Sequence, residues 1–120
     1  MVPSPGEKAR MSDWFRTIYR HAKKKEKSVD SEGHCAYRGV NGAKCFVGLL
    51  IPDGMYNEAC ERKHIVGALL RCDDPLGVLS ARELDFLAAM QLIHDDWPVD
   101  MWEDKLIDMA LRYKLKPNPK

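Results

Sequence analysis

The 120-residue chain lacks the long apolar segments that mark membrane and secreted proteins. No apolar run approaches the ~20 residues that a membrane-spanning helix needs. The first ten residues, MVPSPGEKAR, do not contain the apolar core of a secretory signal. We therefore predict a cytoplasmic protein that has no membrane partner.

The four cysteines lack the spacing of a metal or redox motif. No Cys-x-x-Cys pair is present, which argues against a zinc ribbon and a thioredoxin-type site. The separations of 10, 15 and 12 residues match no compact disulfide framework. We expect free thiols that pack as small apolar groups, and we predict no cofactor.

The glycines lack the pattern of a phosphate-binding loop. Gly39, Gly42 and Gly48 have the wrong spacing, and no Lys-Ser or Lys-Thr pair follows them into a helix. We assign them to turns, or to the close approach of a helix to a sheet.

The composition that remains is that of an ordinary globular domain, with 45 % apolar and 31 % charged residues. The length predicts one core that needs no disulfide or metal to hold it. We divide the chain into a basic amphipathic helix with a linker (1–33), a core domain (34–115) and a flexible tail (116–120).

One hairpin signal stands out, at Asn41-Gly42. Both residues accept a positive φ, which a two-residue type I′ turn requires. The flanking segments 35–40 and 43–51 contain residues that favour strands, and Pro52 ends the second strand.

The length of the loop decides where two cysteines lie. With a two-residue loop, Arg38 faces Cys45, while Cys35 and Cys45 point to opposite faces of the sheet. A three-residue loop would place both cysteines on one face. We favour the first register because of the turn preference.

Helical periodicity predicts the elements around this hairpin. An apolar stripe runs along residues 7–27, and Ser80-x-x-Glu83 is a capping box that begins a helix reaching about His94. Pro98 suits the first turn of a last helix. Residues 55–63 suggest a short helix, and 64–71 fit either a strand or a buried helical turn.

These elements predict an α+β fold. A small antiparallel sheet, built on the β-hairpin, is expected to pack against the buried 80–95 helix, with N- and C-terminal helices on its flanks.

The hairpin region also resembles a signature of small uncharacterised proteins of bacteriophages, prophages and proteobacteria. The likeness covers residues 34–113, includes the later Leu92-x-His94-Asp95, and implies a phage or mobile-element setting without naming an activity. The motif residues are Cys35, Tyr37, Arg38, Gly39, Gly42, Lys44, Cys45, Gly48, Pro52 and Asp53.

The charge is distributed unevenly along the chain. Residues 8–27 contain eight Lys/Arg against two Asp/Glu, whereas residues 73–108 contain two against ten. Such a layout favours binding to a charged macromolecule, either protein or nucleic acid. The candidate partner-binding residues are Arg16, Arg20, Lys23, Lys24, Lys25 and Lys27 on the basic side, and Asp95, Asp96, Asp100, Glu103 and Asp104 on the acidic side.

Two arrangements could hold a metal, although we predict none. His64 with His94-Asp95 resembles the ligand order of metal-dependent HD phosphohydrolases, an all-helical family that the hairpin does not fit. Zinc ligands of suitable type are also present. They are His34, Cys35, Cys45, Cys60, His64 and Cys72; the combined weak alternative is Cys35, Cys45, His64, His94 and Asp95.

A cysteine nucleophile is a further alternative. Cys45 follows Lys44 and faces Arg38 in the favoured register, and nearby cations lower the pKa of a thiol. His34 or His64 could act as the base. No flanking signature supports this chemistry, so we assign no catalytic residue.

The function that these observations favour is binding rather than catalysis. We predict a small non-enzymatic protein that binds and modulates or inhibits a host or defence protein, with homodimer formation as a further option. Nucleic-acid binding through the basic helix is the first alternative. A zinc-binding protein or metal-dependent hydrolase is the second.

Overall fold

The computed structural model describes residues 4–40 and 42–116, which form a helical domain without strands in those two ranges. Each described helix is either too short or too polar to cross a lipid bilayer. The helices are α1 (Pro5–Ala22), α2 (Phe46–Leu50), α3 (Ile65–Arg71), α4 (Ala81–Asp96) and α5 (Trp102–Arg112), with 3-10 turns at Asp53–Met55, Glu58–Cys60 and Val99–Met101.

Helix α4 is central and contacts the other four helices. Its capping box forms as predicted, since the Ser80 hydroxyl accepts from the Glu83 amide at 3.1 Å and the Glu83 carboxylate accepts from the Ser80 amide at 2.9 Å. The same carboxylate is buried and accepts two hydrogen bonds from the guanidinium of Arg10. Burial acts to raise the pKa of Glu83, but these bonds outweigh it and lower the pKa.

Helix α1 directs its apolar stripe into the core. Ser4 caps the helix and Pro5 occupies its first turn, so the helix begins earlier than Glu7. It ends at Ala22 rather than Lys27, and Lys25 has a positive φ of 53°. The buried stripe consists of Met11, Trp14, Phe15, Ile18, Tyr19 and Ala22.

An aromatic cluster joins α2, α4 and α5. The ring of Phe46 lies edge-on to His94 and Trp102, with centroid distances of 5.3 and 5.0 Å, and all three side chains are fully buried. Beyond α5, Leu115 also packs into the core. Residues 117–120 of the predicted tail lie outside the described residues.

The predicted sheet, and with it the α+β fold, is wrong. Among the described residues only two isolated antiparallel bridges form, Val29 with Cys35 and Arg38 with Lys44, so Arg38 does not face Cys45. Gly42 does adopt a turn conformation at φ +82°, whereas Asn41 lies outside the described residues.

The segment predicted as the second strand is helical for a local reason. The Cys45 sulfur accepts a hydrogen bond from the Gly48 amide at 3.2 Å and thereby caps α2. The consecutive side chains of Phe46 and Val47 are both buried, which a strand with one exposed face would not allow. Residues 55–63 contain the end of one 3-10 turn at Met55 and a second at Glu58–Cys60 instead of a helix, and 64–71 resolve to the helical alternative.

Candidate functional site

Several of the motif residues form a hydrogen-bonded cluster around Arg38. Its guanidinium donates to the Asp53 carboxylate at 2.7 Å and to the Ile51 carbonyl oxygen at 2.6 Å, and it stacks on the ring of Tyr56 at 4.8 Å. Lys44 donates to the same Asp53 carboxylate at 3.2 Å. Together, the hydrogen bonds from Arg38 and Lys44 lower the pKa of Asp53.

Glu61 completes this cluster, although the sequence pattern did not include it. Its carboxylate accepts hydrogen bonds from the backbone amides of Tyr37 and Arg38, at 2.9 and 3.1 Å, and from the hydroxyl of Tyr56. One side chain therefore fixes the 37–38 segment onto the turn that precedes α3. An acidic residue on a polar loop carries no sequence signal for such a role.

Gly48 allows the closest backbone contact in this cluster. A Cβ atom at this position would lie 2.1 Å from the Tyr37 carbonyl oxygen, a distance that no side chain can accept. The motif cluster thus explains several motif residues by packing and hydrogen bonding.

A second cluster centres on Asp95. Its carboxylate accepts from His94 Nδ1 at 2.8 Å and from the Gln91 amide at 3.0 Å, and the thiol sulfur of Cys35 lies within 4.8 Å of it. Partial burial acts to raise the pKa of Asp95, but these three neighbours outweigh it and lower the pKa. Lys27 donates to the backbone carbonyl of Asp95 at 3.3 Å.

The hydrogen bonds of His94 define its tautomer. The backbone amide of Ser28 donates to Nε2 at 3.1 Å, so this nitrogen must hold a lone pair. The proton of the neutral ring is then on Nδ1, where it is donated to Asp95. Both ring nitrogens are occupied in a fully buried side chain.

This tautomer bears on the metal alternatives. The structure brings together Cys35, His94 and Asp95, whose ligand atoms all lie within 4.8 Å of one another. A metal on Nδ1 would move the proton to Nε2, against the Ser28 amide. The arrangement therefore fits a hydrogen-bonded network better than a metal centre.

The remaining metal candidates are dispersed. His34 is exposed, and His64 begins α3 without joining the group formed by Cys35, His94 and Asp95. Cys60 and Cys72 are buried beside each other. The helical fold removes one objection to the phosphohydrolase resemblance, but the two histidines do not form a common ligand group.

The four cysteines are free, and Cys45 is the candidate of the nucleophile alternative, with the exposed Cys35 as a comparison. Burial strongly raises the pKa of Cys45, which has no exposed surface. Burial and then the charge of Asp95 raise the pKa of the exposed Cys35 to about 11. Both groups are therefore thiols near neutral pH, the form that is a poor nucleophile.

Some of the basic and acidic residues proposed as partner-binding residues contact each other within the fold. Lys25 pairs with Asp100 at 3.2 Å, and burial followed by the charge of nearby Glu103 raises the pKa of Tyr19. The basic end of α1 thus lies against the acidic region that follows α4. Arg16 pairs with Asp13, while Arg20, Lys23, Lys24, Asp96 and Asp104 are exposed.

A groove between α3 and α4 was not predicted. We call it the α3/α4 groove; it encloses about 460 Å³ and adjoins a second hollow of about 260 Å³. The residues lining the larger cavity are Tyr37, Lys63, His64, Ile65, Val66, Leu84, Asp85, Ala88, Gln91, Leu92 and Asp95, and those lining the smaller one are Val66, Leu69, Asp74, Gly77, Val78, Leu79 and Leu84.

Apolar side chains around the α3/α4 groove are unusually exposed. The exposed fractions are 95 % for Val78, 59 % for Val66 and 57 % for Leu92. The sequence signal for this surface was that α4 is apolar on nearly all sides. A helix that buries one face needs only one apolar stripe, so the additional apolar residues of α4 indicate a second apolar face.

A scan against protein-family models and searches of curated proteins and solved structures find no match to this chain. The resemblance of residues 34–113 to small phage and proteobacterial proteins therefore stays a prediction.

Proposed function

We propose that the chain is a non-enzymatic binding protein that receives an apolar segment of a partner protein in the α3/α4 groove. The observation that carries this proposal is the exposure of Val66, Val78 and Leu92, which line the groove and the hollow that adjoins it. Contiguous exposed apolar surface of this kind is typical of interaction sites.

The gain from covering this surface is moderate. Full burial of a Val or Leu side chain contributes about 1.5–3 kcal/mol, and Val66 and Leu92 are already covered over almost half of their surface. Each would then contribute about 1–2 kcal/mol, before the entropic cost of association is subtracted. A partner must therefore add polar contacts along the rim of the groove.

The phage–host setting rests on the sequence resemblance alone. We propose a host or defence protein as the partner, which the chain would modulate by occupying one of its apolar segments. Homodimer formation through the same groove is the competing use of this surface.

Crosslinking from inside the groove tests the proposal. A photoreactive amino acid at position 92 should give a discrete crosslinked protein from host-type lysate, whereas the same group at Leu111, which is 53 % exposed on α5, should not. Leu92→Glu should abolish capture by a tagged chain, and Leu111→Glu should leave it intact. Equal capture by the two variants would refute the α3/α4 groove as the binding surface.

Nucleic-acid binding through α1 is the second candidate. Arg20, Lys23 and Lys24 are exposed, which supports it, but Lys25 and Lys27 already contact α4 and the turn that follows it. Binding to duplex or single-stranded DNA should weaken steeply with salt if this face is used. Charge reversal at Lys23 and Lys24 that leaves DNA binding unchanged would exclude it.

A further inference from the structure

The α3/α4 groove has the form of a site for one helix. Leu84, Ala88 and Leu92 follow each other at intervals of four residues along α4 and all line the cavity. They span about 12 Å, or two helical turns. The small Ala88 at the centre allows the backbone of an occupant to come close, and the apolar residues of α3 form the opposite wall.

The charges around this floor are mostly acidic. Asp85 and Asp95 line the larger cavity and Asp74 lines the adjoining one, whereas the cationic group that lines them is that of Lys63. His64 lies at the start of α3 on the same wall as Lys63. The neighbouring Arg62 is engaged by Asp30 at 3.4 Å.

We infer that the occupant of the α3/α4 groove is a basic amphipathic helix of a partner protein, with two turns of apolar residues facing Leu84, Ala88 and Leu92 and Lys or Arg residues facing Asp74 and Asp85. This inference rests on the proposed binding function and specifies the chemistry of the partner. Opposite charge along the rim of an apolar helix-binding groove selects the partner and its orientation.

Two synthetic peptides test the charge preference directly. Both carry the same two-turn apolar stripe on a helical background, and they differ only in having Lys or Glu at the flanking positions. Fluorescence anisotropy with the full chain should show binding of the Lys peptide that is roughly ten-fold tighter. This preference should shrink between about 50 and about 500 mM salt, because exposed charges are screened.

Charge variants of the protein identify the groups responsible. The double variant Asp74→Lys, Asp85→Lys should reverse the preference and bind the Glu peptide more tightly. Lys105→Glu on α5 is the control for a change of surface charge elsewhere, and it should leave the preference intact. Equal binding of the two peptides, or a preference for the Glu peptide in the unmodified chain, would overturn the inference.

The outcomes separate this inference from the proposed function. If crosslinking at position 92 succeeds but the charge preference is absent, the groove binds a partner that is not basic. If neither peptide binds and crosslinking also fails, the binding function itself is refuted. Sedimentation that shows a dimer dispersed by Leu92→Glu would assign the groove to a second copy and overturn the inference.

Discussion

Replacing Glu61 by Gln tests whether the motif cluster holds the fold together. The carboxylate of Glu61 accepts from two backbone amides and the Tyr56 hydroxyl. A glutamine side chain keeps the shape but replaces one acceptor oxygen with an NH2 group. Whichever way it turns, that NH2 group faces a backbone N–H that previously donated to oxygen.

The magnitude follows from the bonds lost. A hydrogen bond to a charged group contributes about 1.5–3 kcal/mol, and leaving a buried donor without an acceptor costs about 1–3 kcal/mol. Because Glu61 is half-buried, water recovers part of this loss. We expect Glu61→Gln to lower the free energy of unfolding by about 2–4 kcal/mol.

Urea unfolding followed by tryptophan fluorescence measures this change. Glu58→Gln, on the exposed part of the preceding 3-10 turn, is the matched control and should leave the midpoint unchanged. Tyr56→Phe in a double-mutant cycle with Glu61→Gln should show coupling, since the two side chains share a hydrogen bond. A Glu61→Gln midpoint equal to that of the control would refute the structural role of the motif cluster.

Three further predictions concern single side chains. Gly48→Ala should destabilise the fold by at least about 2 kcal/mol in the same assay, because the new methyl group meets backbone, whereas Gly54→Ala, with open space around its Cα, should be tolerated. At pH 8, Cys35 should react with iodoacetamide more slowly than a cysteine in an unstructured peptide. Asp95→Asn should speed the reaction, because the carboxylate opposes thiolate formation. The pKa of Asp95 is lowered, so its stabilising effect is present above the unfolded pKa near 3.8 and is lost as pH falls through the folded pKa. Asp95→Asn, which weakens the bond to His94, should therefore flatten the fall in unfolding free energy below pH 4, and an unchanged slope would contradict this.

The main helices could be predicted because their signals are local. The stripe along α1 has one apolar face with a period of 3.6, and the Ser80 capping box fixes the start of α4 within the sequence itself. Such patterns can be recognised without knowing which distant residues the element contacts. The same is true of the left-handed turn at Gly42.

The sheet was mispredicted because a short apolar run has no distinctive period. Phe46-Val-Gly-Leu-Leu50 satisfies strand preferences, yet it is surrounded by core on several sides and gains a cap from Cys45. The decisive contacts come from α4 and α5, more than 40 residues away. The weak metal alternative did include Cys35, His94 and Asp95, which the structure brings together, but the sequence could not separate these three from Cys45 and His64.

The motif and the proposed binding surface largely occupy different residues. Arg38, Gly48 and Asp53 hold loops together, whereas Val66, Ala88 and Leu92 line the α3/α4 groove. A specific sequence motif can therefore reflect the packing requirements of a loop-rich region that contains no sheet. Apart from Tyr37, Leu92 and Asp95, the residues that line the groove lie outside the resemblance pattern, so we expect chains that share the pattern to share this fold and yet bind different partners. Exchanging only the groove residues between two such chains should then transfer the choice of partner while leaving stability unchanged, and an exchange that transfers neither would place recognition elsewhere on the surface.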